Sequence, residues 1–315
     1  MNLAIPDVRT LEVHPATFSY LTTSCRRSSE LAERIDLGVP LLLDAVRDAA
    51  RLGFNFLSVA GDHALFHPGL APLCREAHQQ RMLTTLTTRT GLLNARRLKA
   101  LVRSIDLLGI RYEAALARGL ELVRHSGIPF AVVFRLTRDN LGELEAAAGF
   151  AAAQGAAMLD IEPAGDLSDH DLATVWMIVE CLRDLHRGNL AVQLEMLNRY
   201  TLPMEEKDLD DWQSGLETGA RMVGEVVTPL VIDEAGTVAP LRKGFAESLA
   251  WGNLHRTSMQ EMAGEWIAVG LSRFCDIYRR VLAEAQREGR AFGDLHQMLA
   301  MEASREKGIG FSGAR

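Results

Sequence analysis

The strongest constraint on this chain is a repeated alternation. Short apolar runs of strand length are each followed by a stretch whose apolar residues recur at helical spacing. Residues 16–23, 54–60, 82–88, 104–110, 129–136, 157–163 and 190–196 read as the strands of that series. The first intervening helix is legible residue by residue: over 41–53, Leu42, Ala45, Val46, Ala49 and Leu52 share one stripe, and Gly53 ends it. Helices follow over 70–80, 94–102 and 112–125, and the next starts at the capping-box spacing of Asn140 and Glu143 and ends near Gly155. Ser168 and Asp171 give another start signal, with Leu172, Val175, Trp176, Val179, Leu182 and Leu185 on the stripe to be buried. Strands joined by such helices need right-handed βαβ crossovers. The chain therefore predicts an α/β fold whose parallel sheet is partly or fully closed into a (βα) barrel. In a barrel of this kind the site is expected in the loops at the C-terminal ends of the strands. Residues 1–15 read as an irregular lead-in.

The pattern changes after residue 200. The charged stretch 205–211 reads as a linker or helix start, 226–239 as a hairpin turning at Glu234, Ala235 and Gly236, and 259–287 as a long amphipathic helix, with another over 293–305. The expected organisation is a barrel domain over 1–204 and a C-terminal region over 205–315. With 48% hydrophobic residues in a chain of 315, there is enough apolar material for a large core. A net charge of −7 with no Lys/Arg-rich run argues against a nucleic-acid partner, and no apolar window approaches the length of a membrane span. The first residues lack a basic segment followed by an apolar one, so a cytoplasmic location is expected. Cys25, Cys74, Cys181 and Cys275 lie far apart, which argues against a disulfide framework or a Cys-x-x-Cys site.

Several segments carry more specific information. Residues 20–32, before the first helix, read Tyr-Leu-Thr-Thr-Ser-Cys-Arg-Arg-Ser-Ser-Glu-Leu-Ala. After the second strand come Ala60, Gly61, Asp62 and His63, then His67 and Pro68; the third ends in Thr87, Thr88, Arg89, Thr90, Gly91, Leu92 and Leu93. Later units carry residues 125–129, 138–143 and 159–163. In order and position these segments resemble the radical S-adenosylmethionine (radical-SAM) family, which places Cys-x-x-x-Cys-x-x-Cys, Gly-Gly-Glu-Pro and Thr-Thr-Asn-Gly-x-Leu-Leu after its first three strands. The C-terminal region is similar to the SPASM domain of the peptide-modifying branch: Ile232, Asp233, Gly236, Val238 and Pro240 in the hairpin, then Gly252, Asn253, Leu254, Ser258 and Trp266. The resemblance covers roughly 16–270. It implies a TIM-like barrel of the radical-SAM type with a SPASM-like hairpin and a helical tail.

In the family's spacing the cluster positions fall on Cys25, Ser29 and Ala32, and the SPASM cysteine falls on Leu241. Thiolates hold iron–sulfur clusters; a hydroxyl is a poor substitute and a methyl group offers nothing. An iron–sulfur cluster, and with it radical chemistry, is therefore not expected. The resemblance assigns Gly61, Asp62, Thr88, Arg89 and Glu162 to S-adenosylmethionine, with Asp62 at its amino group. The residues also allow other readings. Asp62, His63 and His67, with Glu162 and Glu195, offer ligands for a divalent metal. Arg89 and Arg111 could hold a carboxylate or phosphate, or replace the lost cluster charge by pairing with Asp62 or Glu162. Cys25 is either a packed thiol or one activated by Arg26 and Arg27. The leading expectation is a cluster-free pseudoenzyme, a binding or accessory subunit in the biosynthesis of a peptide-derived natural product or cofactor. Its partner would be a peptide, a small molecule or another enzyme, with homo- or hetero-oligomers formed through the tail helix. The alternative is a non-radical enzyme using S-adenosylmethionine or a divalent metal at the barrel mouth.

Overall fold

The computed structural model describes residues 8–18, 34–61, 64–113, 116–164, 167–194, 197–198, 202–241, 249–289 and 292–306. The first strand of the main sheet is β1 (Thr10–Val13), not the expected run over 16–23. Residues Ala16–Phe18 (β2) instead pair antiparallel with Arg34–Asp36 (β3), with Ala16 opposite Asp36. The two short strands bracket the stretch that contains Cys25, Ser29 and Ala32, all outside the described residues. The reason for the misplaced strand is physical. Only Leu11 and Val13 mark β1 as apolar, too few for a periodicity argument, and what fixes the strand is pairing with segments far away in sequence. It hydrogen-bonds in parallel to β4 (Phe56–Val59) on one side and to residues 230–232 on the other.

From β4 the sheet continues through β5 (Leu83–Thr88), β6 (Leu107–Arg111), β7 (Phe130–Leu136), β8 (Met158–Pro163) and β9 (Ala191–Leu194), each parallel to the last. The strand order runs one way with sequence, so right-handed crossovers place the connecting helices on one side of the sheet. Those helices are α1 (Val39–Arg51), α2 (Leu70–Gln79), α3 (Ala95–Leu101), α4 (Leu116–Ser126), α5 (Leu144–Ala153) and α6 (Asp169–Leu185). The sheet remains open, with the (βα) units forming a partial barrel.

Local sequence explains most helix boundaries. Helix α1 buries Leu42, Ala45, Val46 and Ala49, as its stripe predicts, and Arg47 ties it to α2 through two 2.9 Å hydrogen bonds to Glu76. Gly127 follows α4 with φ +73°, a left-handed conformation that glycine adopts without Cβ strain. The start signal at Asn140 belongs to a 3-10 turn over Arg138–Glu143, capped by Thr137, and α5 begins only at Leu144. In α6 the buried stripe runs through Leu172, Val175, Val179 and Leu182 and stops there; Leu185 is 75% exposed in the last turn.

The charged stretch over 205–211 lies inside α7 (Leu202–Glu217). The expected hairpin is present as β11 (Leu230–Ile232) and β12 (Thr237–Pro240), turning through Gly236 at φ +81°. Through β11 it joins β1, so the C-terminal hairpin and the barrel share one ten-stranded sheet, which β13 (Gly252–Asn253) extends. A two-residue strand, β10 (Leu197–Asn198), pairs antiparallel with β14 (Phe292–Gly293). The tail is α8 (Met259–Glu265), a π-turn over Trp266–Gly270, α9 (Leu271–Arg287) and α10 (Leu295–Glu306). Trp251 stacks on Trp266 at 5.0 Å, and edge-on contacts continue through Phe274 and Tyr278 to Trp212 on α7. This aromatic run fastens the tail to the hairpin. Among the described residues no helix is long and apolar enough to cross a membrane.

Candidate functional site at the inner face of the barrel

Strand alternation sorts side chains onto two faces. Leu11, Val13, Leu57, Val59, Leu86, Leu108, Ile110, Val132, Phe134, Leu159 and Ile161 are buried in the core beneath the helices. The opposite face carries Glu12, Ser58, Thr87, Arg111, Arg135, Asp160, Glu162 and Gln193, half-buried or exposed, beside the buried Thr85, Ala131, Val133 and Val231. Register confirms the grouping: Glu12 lies opposite Ser58, Asp160 opposite Gln193, and Arg135 opposite Glu162. A sheet face this polar does not bury another layer of secondary structure without partners for its charges. It is suited instead to a polar ligand.

Polar contacts brace the loops at the C-terminal ends of the strands. After β5, Arg89 Nε lies 3.2 Å from Glu113 Oε1, which follows β6. Nothing in the local spacing of Glu113 marks it as a partner of Arg89, because the pair closes only when β5 and β6 lie side by side. Near the end of β1, His14 Nε2 lies 2.5 Å from Glu12 Oε1. After β7, Arg138 donates to Asp171 Oδ2 at 3.1 Å, and the same oxygen accepts from the Ser168 hydroxyl at 2.6 Å and the Ser168 N–H at 2.9 Å. Ser168 returns the bond by accepting from Asp171 N–H, closing the capping box at the start of α6.

These bonds to the Ser168 hydroxyl and N–H, with Arg138 beside them, hold the Asp171 carboxyl down at about 2 from an ordinary 3.8. A lowered folded-state pKa means that the protonated cap is the weaker one. Its contribution is complete above about pH 4 and is lost as pH falls through about 2. A carbon-detected titration should therefore place the Asp171 midpoint near 2, and Ser168→Ala should raise it more than Arg138→Ala. A wild-type midpoint near 4 would contradict this network.

The sequence-assigned residues distribute as follows. Gly61 follows β4 with φ +103°, and the Ala60 N–H bonds Val13 O at 2.9 Å, which sets Gly61 beside the end of β1. Glu162 is exposed on the inner face. Thr88 is in register with Ile110 on the helix-covered face and is 2% exposed. His67 is buried, with Nε2 2.8 Å from Leu37 O and Nδ1 accepting from Gly69 N–H at 3.1 Å, so both ring nitrogens hold backbone. Asp62, His63 and Glu195 lie outside the described residues. Among the described residues no three His, Cys, Asp or Glu side chains gather as a metal site. An open groove of about 510 Å³, lined by Asp211, Ser214, Thr218, Arg221 and Glu225, lies toward the opposite end of the barrel, where Glu225 pairs with Arg9 just before β1.

The hairpin residues have structural work. Asn253 Nδ2 donates to Ala235 O across the hairpin turn, Leu254 N–H bonds Gly236 O, and Ser258 caps α8 in a reciprocal box with Glu261. Leu241, where the family pattern has a cysteine, is 5% exposed with φ +70°. A non-glycine residue there carries backbone strain of about 1–2 kcal/mol. The 2.9 Å bond from its N–H to Pro229 O and the burial of its side chain hold it in place.

No protein-family model and no curated protein matches the chain. Solved structures do. The protein anSMEcpe with bound AdoMet aligns with a TM-score of 0.52 over 80% of this chain and 79% of its own, at 14% identity. SuiB of Streptococcus suis bound to S-adenosylmethionine aligns with a TM-score of 0.57 at 13% identity, over 81% of this chain and 65% of SuiB. SuiB bound to its precursor peptide SuiA gives 0.55 at 11% identity, over 81% of this chain and 64% of that one. The chain has their fold. The α/β partial barrel anticipated from the sequence is the architecture observed, and this chain spans just under two thirds of SuiB.

Proposed function

We propose that this chain is a cluster-free protein of the radical-SAM fold that binds a peptide-derived ligand or S-adenosylmethionine on the inner face of its barrel. The observation that carries the reading is the contrast between a polar inner face and a chain without the thiolates a cluster needs. Cys25 is the one cysteine between β1 and α2, so no register of that stretch supplies a second thiolate. The others sit elsewhere. Cys74 is buried in α2, where desolvation pushes its thiol up to about 12; Cys275 is buried in α9, with its thiol at about 11. Cys181 is exposed on α6. Ligation requires thiolates that converge, and burial of this kind favours the protonated thiol. This donor set does not fit a four-iron cluster, so no step through one is derived.

A peptide ligand is supported by the SuiB complex with its precursor peptide, and S-adenosylmethionine by the AdoMet complexes of both neighbours. In this chain Gly61, Asp62, Arg89 and Glu162 are the residues proposed to meet the ligand, with Thr88 contributing backbone. Anaerobic reconstitution with iron and sulfide tests the first half of the reading: iron and sulfide well below one atom per chain, and no visible absorbance, are the expected result. Stoichiometric iron–sulfide uptake would overturn it. Calorimetric titration with S-adenosylmethionine tests the second half, with binding expected in the same iron-free sample.

A further inference from the structure

We propose that Glu12 and His14 form a proton-accepting site on the inner face, in which His14 Nδ1 receives a proton from an O–H or N–H group of the ligand and Glu12 orients the ring. Residues 12 and 14 share one side of the strand direction, and Glu12 lies on the inner face opposite Ser58. The chain is still in the ladder at His14, whose N–H bonds Ile232 O at 2.9 Å. His14 is 8% exposed. Its Nε2 lies 2.5 Å from Glu12 Oε1, and its Nδ1 is buried with no hydrogen-bond partner. A carboxylate only accepts, so this contact places the proton on Nε2 and leaves Nδ1 of the neutral ring with a lone pair.

A buried polar nitrogen left unpaired carries a desolvation cost that no hydrogen bond offsets. Neither of the other protonation states removes that cost. An imidazolium, or a neutral ring accepting from a protonated Glu12, leaves an N–H at Nδ1 equally without a partner. A ligand donor would satisfy it. The flanking strands bring no competing charge: Ser58 and Val231 are the register neighbours of Glu12. Asp233, just past β11, accepts from the Ala235 and Thr237 N–H groups. The pair also adjoins Gly61, through the bond from Ala60 N–H to Val13 O.

The step is a proton transfer. The ligand's O–H or N–H bond breaks, its electron pair stays on the ligand atom, and the proton bonds Nδ1. The imidazolium that results is paired through Nε2–H with the Glu12 carboxylate, as in general base catalysis. This chemistry requires no cluster. Only the location of the ligand rests on the function proposed above; the tautomer that makes Nδ1 basic does not.

Long-range nitrogen-15 spectra of the full chain, recorded where the ring is neutral, test the site, with His14→Gln assigning the signals. The expected result is a single tautomer with the proton on Nε2. Glu12→Gln should abolish that preference, because an amide donates as well as accepts; a space-filling role would leave it unchanged. Saturating S-adenosylmethionine, whose amino and hydroxyl groups are donors, should then shift the Nδ1 resonance. A proton on Nδ1 in the wild-type chain would overturn the proposal, as would an unmoved Nδ1 signal while calorimetry registers binding. If calorimetry registers no binding, the proposed ligand is wrong and the tautomer alone decides the dyad.

Discussion

Phe134→Ala is expected to destabilise the protein by about 3–5 kcal/mol, read as a fall in the urea midpoint with little change in slope. Phe134 lies in the middle of β7 on the helix-covered face and is 1% exposed. Its ring centroid is 5.3 Å from Tyr112, which is 6.0 Å from Phe150 on α5. Truncation removes the transfer free energy of a benzyl group and leaves a cavity between strand and helix that two other rings cannot close without leaving their own contacts. Phe134→Leu keeps most of the volume and should cost appreciably less. Tyr112 directly follows Arg111, so the loss should also loosen the C-terminal end of β6, where the Arg89–Glu113 pair closes. A cost below about 1 kcal/mol would mean that this part of the core is not packed as described.

Gly119→Ala should also destabilise, by about 2 kcal/mol, although alanine is the better helix former. At an exposed helical site the replacement gains about 1 kcal/mol. Gly119 is buried in α4, and a Cβ there would stand 2.2 Å from Thr90 Cβ and 3.1 Å from Thr90 Cα. The second atom is backbone, so a rotamer change cannot relieve the overlap, and an overpacking cost of about 3 kcal/mol outweighs the propensity gain of about 1 kcal/mol. Thr90 opens the turn directly after Arg89, which makes the strain a perturbation of the candidate site as well. Combining Gly119→Ala with Thr90→Gly removes the opposing side chain and should show strong non-additivity in a double-mutant cycle. Stabilisation by the single substitution would refute the close approach of α4 to this turn.

The sequence was informative where the signal is local. Helix α1 is marked by five apolar residues at helical spacing, α6 by Ser168 and Asp171, and the hairpin by a glycine at the position that needs positive φ. Each of those signals is satisfied within about one or two turns of chain, so pattern and structure agree. The site is another matter. Glu12 and His14 lay in a stretch read as lead-in, since a four-residue strand with two apolar positions gives no usable period, and Glu113 lay in the predicted helix over 112–125, which begins only at Leu116. Asn140 showed the opposite error: its side chain does cap, but for a 3-10 turn whose N-cap is Thr137.

By itself the sequence determined the βα series, the parallel sheet that its crossovers require, and the wide spacing of its four cysteines. These depend on short-range periodicity and on donor chemistry, both of which are properties of the residues. Tertiary structure alone decided which strand comes first and which charges meet. Strand β1 exists because β4 and β11 hydrogen-bond to its two edges, and their partners lie 46 and 219 positions away, as the pairs Thr10–Phe56 and Leu11–Leu230 record. Pairing energy between such distant segments is realised only once the sheet has formed, and no local pattern encodes it.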